Sequence, residues 1–394
     1  MDTKVIAIII AAVVVVGGAS AFVILNNDGN NTDDSRFNII SRVNSEGSGI
    51  YIKADLVEFD ANDMPVNKAN GTPFFTVVDG KWTVTADNKS AWDGLTFGTP
   101  GTPTIQHTQL ADLAHTMGLD FKLTGNGTGK GAMYYDSGMA SSDKIISNTV
   151  IDGGIIWEPQ HQVVIANEEH VELALTNDIF PNHTCCVIAG NEKYMKSNVE
   201  TTERFLQGYI KSVDDINRIL SDPESQDYSD FLKFVEEKVP ALKGKTESTK
   251  AALANINYLY ADDNGGDLSG LKASIADLVV NLAKNEVLKK EIVNPSAFAD
   301  KFVDDSYIKG AITNKYEDNG NTTIKVAVIS GDIHQIAIHW ASEQGFFSGI
   351  TISIVENTNG GGVATSIVNG EAQYGFLGAP PATITTVNSG YITA

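Results

Sequence analysis

Cysteine is nearly absent: two residues in 394, Cys185 and Cys186, adjacent in sequence. A disulfide framework is therefore excluded. A vicinal disulfide, a presented thiol, or a pair of buried small hydrophobes stay open. Basic residues are also scarce, 28 Lys and Arg against 49 Asp and Glu, for a formal net charge of −21. That balance excludes a nucleic-acid partner, which needs a basic face to displace counterions, and reads as a soluble, exposed surface. Missing as well are a tight HxH or HExxH pattern, a Walker loop, a dinucleotide fingerprint, a Ser/His/Asp arrangement and a carboxylate pair. No metal, no cofactor and no catalysis is expected on these grounds.

One stretch has no charge at all. Residues 5–25, "VIAIIIAAVVVVGGASAFVIL", form an apolar run long enough to cross a bilayer. Lys4 precedes it and "NNDGNNTDDS" follows, which orients the rest of the chain outward. Ala19-Ser20-Ala21 resembles a signal-peptidase site, but the run continues through Phe22–Leu25. A single uncleaved anchor in the cell membrane is expected, with the remainder extracellular. Sequons at Asn30, Asn70, Asn88, Asn126, Asn182 and Asn321 are compatible with export.

What is present is an alternation of strands and helices. "FNIISRV" and "GIYIKADLVEF" read as strands, and residues 60–90 as a hairpin insertion whose "FFTVVDGKWTVTA" carries an Asp-Gly turn. "LTFGTPGTPTIQHTQLADLAHTMGL" reads as strand, loop and helix, with Ile105, Leu110, Leu113 and Met117 on the apolar face. "IDGGIIWEP" is a short buried strand. Residues 201–310 are strongly helical, with Phe205, Tyr209, Ile216 and Ile219 near one face. After the polar segment 316–323 the strand–loop–helix pattern restarts: "IKVAVISGD", a helix at His334–Glu343, "ITISIVE", the loop "NTNGGG", a helix over Val363–Asn369, "QYGFLGAPP" and a strand-like "GYITA". The pattern predicts an α/β protein with largely parallel sheets.

Three Gly/Ser/Thr loops join a strand to a helix: Gly98–Thr104, Ser330–His334 and Asn357–Gly362. The first N–H groups of such helices favour an anion or a polar head group, and ligands of open α/β sheets lie at these carboxyl ends. Each loop alone is ordinary turn chemistry; three of them suggest a cleft. His107, His161, His183, His334 and His339 lie in such loops or first helical turns. His334 and His339 are poorly spaced to share a helical face, so hydrogen bonding to ligand or loop is expected of them. Trp157-Glu158-Pro159 suits either a pocket wall or the end of a core strand.

On these segments the chain acquires a family likeness. "KVAVISGDIHQIAIHWASEQGFF", "NTNGGGVATSIVNGEAQYGFLGAPPATI", "RVNSEGSGI", "LTFGTPGTPTIQHTQL", "DGGIIWEP" and "NEKYMKSNVETTERFLQGYIK" resemble solute-binding proteins of ABC importers of the nitrate/sulfonate/bicarbonate, taurine-like class. The resemblance covers most of 37–394 outside 60–90, in an order the family does not use, and so implies a circular permutation. It implies a two-lobed type II periplasmic-binding-protein fold: 1–36 anchor and tether; 37–215 second α/β lobe; 216–315 helical segment; 316–322 linker joining the old termini; 323–394 first α/β lobe. The hinge is expected near Asn38–Val43. Alternatively, 323–394 pairs with another chain.

The implied function is capture of a small polar or anionic solute and its delivery to a permease with its ATPase. Implied ligand contacts are Asn44, Ser45 and Glu46; Thr102, Thr104, Gln106 and His107; Trp157 and Glu158; Asp332, His334 and Gln335; Asn359, Gly360 and Gly361; and Gly378, Ala379 and Pro380. For an oxyanion, the backbone at Thr104–Gln106 and Gly361–Val363 is favoured, with the hydroxyls of Ser45, Thr102 and Thr104. The scarcity of Lys and Arg in these loops disfavours a doubly charged anion and leaves a neutral or zwitterionic ligand open. Two other readings are a thiamine-pyrimidine-precursor synthase-like enzyme, with His and Cys around iron, and a surface binding module without a transporter.

Overall fold

The computed structural model describes residues 36–125, 129–316, 321–390 and 392. The expected anchor at 5–25, nearly all of the tether, residues 317–320 of the expected linker and most of "YITA" lie outside these. Among the described residues no helix is long and apolar enough to cross a membrane.

Strands β1 (Phe37–Glu46) and β2 (Ser48–Lys53) are separated by a single residue, Gly47. They nevertheless belong to different sheets. Next come two small hairpins, β3 (Val57–Phe59) with β4 (Pro65–Asn67) and β5 (Thr76–Val78) with β6 (Lys81–Thr83). The second turns through Asp79 and Gly80, both at positive φ (52° and 76°). That is the primed two-residue turn that Asp-Gly favours. Then follow β7 (Thr96–Thr99), β8 (Asp120–Leu123), β9 (Ala132–Ser137), β10 (Gly153–Trp157), β11 (His170–Leu175), β12 (Thr184–Asn191), β13 (Ile256–Tyr258), β14 (Thr322–Ile329), β15 (Ile350–Asn357) and β16 (Tyr374–Gly378).

One six-stranded sheet has the order β13-β1-β12-β16-β14-β15, the other β11-β2-β10-β7-β9-β8. Both are mixed, which corrects the expectation of largely parallel sheets. In the first, β14 runs parallel to β15 and β16, while β12 opposes both β1 and β16. In the second, β10-β7-β9-β8 is parallel and β2 opposes β10 and β11. The antiparallel strands are those next to the passages between sheets, where no helical crossover is needed.

These pairings place 323–394 within its own chain: Cys186 pairs with Gly378 and Ala189 with Gly375. Strands β1 and β12, although within 37–215, therefore lie in the sheet of the C-terminal strands. The chain passes between sheets at Gly47 and again between β11 and β12, around Phe180–His183. A hinge at Asn38–Val43 is accordingly corrected: those residues are inside β1, held in ladder with β12.

The helical region packs on the first sheet. Helix Val199–Leu220 buries Phe205, Tyr209, Ile216 and Ile219 as its spacing predicts. Phe205 stacks on Tyr374 at 4.5 Å between ring centroids, and Ser212 Oγ donates to Ala337 O at 2.7 Å. The insertion packs on the second sheet through Trp92, whose ring lies within 5.1–5.5 Å of Phe74, Phe75 and Phe97. Its Nε1 donates to Phe74 O at 2.8 Å. Asn88, a sequon residue in this insertion, is buried. Its amide takes N–H and hydroxyl donors from Thr85 and Thr76 and donates to Pro73 O, so it leaves no room for a glycan. Helix Ala379–Ser389 ends at Gly390 in the left-handed region (φ 71°). The start of the strand-like "GYITA" is thus a helix C-cap, where glycine avoids the Cβ penalty.

Candidate functional site

The carboxyl ends of β14, β15 and β16 lead into Asp332, Asn359 and Ala379. Those of β7 and β10 lead into the Thr102–Thr104 loop and Glu158. From these two sets, His334 and Glu158 reach the passage Glu46-Gly47-Ser48.

Gly47 is the meeting point. Its carbonyl accepts from Glu158 N at 2.8 Å, on the second sheet, and from His334 Nε2 at 3.0 Å, on the first. Glycine is required there: φ is +87°, and a Cβ would come within 2.2 Å of His334 Nε2. His334 Nδ1 lies 2.8 Å from Asp332 Oδ1. With an acceptor at each nitrogen the ring must carry both protons, so it is an imidazolium. Burial opposes that charge, but Cys185, Asp332 and Glu158 outweigh it and hold the pKa up at about 9. Asp332 also caps its own turn, accepting from His334 N at 3.0 Å. Gln335 Nε2 donates to Asp332 Oδ2 at 3.1 Å and to Phe376 O at 3.0 Å, and its Oε1 receives Ile329 N.

Glu158 is fully buried. Its carboxylate accepts from Asn255 Nδ2 at 2.8 Å and from Gln162 N and Nε2 at 3.2 Å, with His161 Nδ1 at 3.4 Å. Burial alone would raise its pKa; the nearby His161 ring, with the two amides, brings it below the usual range. A buried carboxylate is tolerated because it is satisfied in this way. Beside it, Gln106 Nε2 donates to Ser48 Oγ at 2.9 Å.

The cysteines are free and buried, with Sγ atoms 3.7 Å apart. The sulfur–sulfur contact pulls the Cys185 thiol down to about 7 against the burial that raises it, with help from His334 and Asn44; Cys186 is pushed well up. Asn44 Oδ1 and His183 Nε2 are buried acceptors with no hydrogen-bond partner. His183 Nδ1 is 2.9 Å from Phe180 O, and burial drives the ring's pKa to about 4, so Nε2 is an open lone pair.

Of the residues singled out in the sequence, Asn44, Gln106, Glu158, Asp332, His334 and Gln335 meet around Gly47. Glu46 is turned to Asn182, whose N–H its Oε1 accepts at 2.9 Å. Ser45, next along β1, faces a separate cavity with Asn257. His107 is enclosed instead by the rings of Phe121 and Tyr135, 4.7–5.2 Å away, and burial lowers its pKa to about 4. Thr102 is exposed, and Thr104 caps its helix toward His107 N at 3.3 Å. Trp157 is half-buried and packs beside Ile156 and Val164. Asn359 caps helix Gly360–Val368 by accepting from Gly362 N at 3.0 Å, so the glycines form the first helical turn rather than a loop. Gly360 and Gly378 both lie against Pro381, beside Ala379 and Pro380 at the start of the last helix. His161, Asn255 and His183 complete the cluster around Gly47, which lies within the expected contact stretch Asn44–Ser48. Only their convergence in the fold marks them, apart from the loop position of the two histidines.

Among the described residues, no group of three or more His, Cys, Asp or Glu side chains is arranged to hold a metal ion. No family model matches the chain, and no curated protein matches it. Among solved structures, the chain is similar to the zinc-bound ligand-binding component of an ABC-type import system from Staphylococcus aureus. The identity is 13% and the TM-score 0.41, over 70% of this chain and 75% of that one. It is similar also to the periplasmic nitrate-binding protein NrtA from Synechocystis PCC 6803, at 12% identity and a TM-score of 0.43, over 70% and 67%.

Proposed function

We propose that the chain is an extracellular receptor that captures a small polar solute between its two sheets and hands it to an ABC permease driven by an ATPase. One observation carries this reading: a buried polar cluster spans the carboxyl ends of both sheets and is pinned at Gly47, where the chain passes between them. Two short passages joining two α/β units suit hinge closure on a ligand. Residues 5–25 would tether the receptor to the membrane. The order of strands in the first sheet, with β14–β16 beside β12 of the same chain, supports a circularly permuted version of the nitrate/sulfonate/taurine/bicarbonate-binding fold.

The solute is constrained by charge. His334, the cation of the cluster, already donates from both nitrogens, whereas Asn44 Oδ1 and His183 Nε2 stand open as acceptors. A neutral or zwitterionic solute that brings its own donors, of which taurine is an example, suits this better than a doubly charged anion.

Thermal-shift screening of the purified chain against nitrate, sulfonates, taurine, bicarbonate, molybdate-like oxyanions and pyrimidines tests the proposal. A solute at 100 times its Kd should stabilise the fold by about 2.7 kcal/mol through mass action. The shift should be lost in His334→Ala. A folded monomer whose melting no solute moves would overturn the receptor reading.

A further inference from the structure

A cavity lies away from the Gly47 cluster. It has a volume of about 450 Å³, within the ~300–1,000 Å³ typical of small-molecule sites. Helix Val199–Leu220, β1, and β13 with the segment following it line this open cavity, together with Asn182 of the second passage. Its apolar lining is sparse. Asp214, Asn217, Asn257 and Asp263 instead bring carboxylate and amide groups together, with the ring of Tyr260 beside them.

The bonding state of these groups defines what would fit. Arg42 is paired through two guanidinium nitrogens, one with Asp262 and another donating to Thr184 Oγ1 at 3.1 Å, while its buried Nε has no partner. Asn217 donates one amide N–H to Tyr258 O at 3.1 Å, and Asn257 one of its own to Ser45 Oγ at 3.3 Å, so each keeps a second N–H. Both are left with a carbonyl acceptor. Asp263 takes Gly265 N and Asp267 N on Oδ1, leaving Oδ2. The cavity therefore presents amide N–H groups as well as carbonyl and carboxylate acceptors, and carries net negative charge. A ligand suited to it brings both donors and acceptors without negative charge, and a half-buried aromatic face favours a ring with C–H groups on one side.

We propose that this cavity is a binding site for a neutral polyhydroxylated ring, a monosaccharide or cyclitol, separate from the site around Gly47. The inference does not depend on the receptor reading, because it uses different side chains.

Titration calorimetry of the full chain with D-glucose, D-galactose and myo-inositol tests it. At least one should bind saturably with one-site stoichiometry. Asn217→Phe, which fills the space, should weaken that binding at least tenfold. Asp214→Asn, nearly isosteric, should weaken it severalfold while leaving the circular-dichroism melting curve in place, so loss of fold is told apart from loss of the site. No saturable binding by any of the three, binding unchanged in both variants, or displacement of the bound sugar by sulfate would overturn the proposal.

Discussion

His334 and Gly47 are in direct contact across the two sheets: the imidazole Nε2 is 3.0 Å from the Gly47 carbonyl, and that nitrogen occupies the space a Cβ would take. The side chain from one sheet thus rests against the link to the other, and the contact requires both a charged ring and a residue with no side chain.

Gly47→Ala tests that requirement. The substitution combines a positive φ with a clash against a buried ring, so a loss of about 1–3 kcal/mol is expected for the backbone alone, and more in total. Gly71→Ala is the control: φ is +69° there, but nothing lies within 4 Å. Urea unfolding should show Gly47→Ala clearly less stable than Gly71→Ala. Equal losses would mean that the ring moves aside freely.

The His334–Cys185 pair should make stability depend on pH in two opposing ways. The folded pKa of His334, about 9, lies above its ordinary 6.5. Its contribution is fully present below pH 6.5 and lost as pH rises through about 9. Cys185, lowered from 9.0 to about 7, contributes above pH 9 and loses that contribution as pH falls through about 7. The two slopes partly cancel between pH 7 and 9. In Cys185→Ala the cysteine slope is gone and a shallower histidine slope remains, held by Asp332 and Glu158, so stability should fall above pH 6.5. Denaturant midpoints across pH 6–9.5, with NMR titration of the His334 ring, check this; a flat profile in the variant would count against the imidazolium.

Trp92 ties the insertion to the second sheet. Trp92→Ala removes the ring around which Phe74, Phe75 and Phe97 gather and should destabilise by about 3–5 kcal/mol. Trp92→Phe keeps most of the packing but deprives Phe74 O of its donor, an expected loss of about 1–3 kcal/mol. Fluorescence-detected unfolding of both variants measures the difference. If the alanine variant unfolds with the wild type, the insertion is not part of the second core.

Much of this was legible in the sequence because it is local. The apolar runs of β1, β2, β10 and β14–β16 announce themselves, as do the Asp-Gly turn and the amphipathic face of helix Val199–Leu220. Strand β12 is harder, since "TCCVIAGN" has no alternation, being buried along its whole length. Strand β13 is three residues inside a helical region and exists because Asn44–Glu46 lies beside it. The same holds for the site. Asp332, His334 and Glu158 stand out at strand ends, whereas Asn255 and Gly47 matter through partners tens to hundreds of residues away. His107 and Ser45 share the residue types of site groups, but strand alternation and local ring packing turn them elsewhere.

The division of strands between the sheets also sets an order of assembly. All six strands of the second sheet come from one continuous stretch, Ser48–Leu175, whereas the first draws on residues from Phe37 to Gly378. As the chain is synthesised, the second unit is complete while the first still lacks β12 to β16, and domains tend to fold as units as they emerge. Strand β1, made earliest, must therefore wait unpaired for partners made much later. Protease protection of nascent chains should appear across 48–175 well before it appears at Phe37–Glu46.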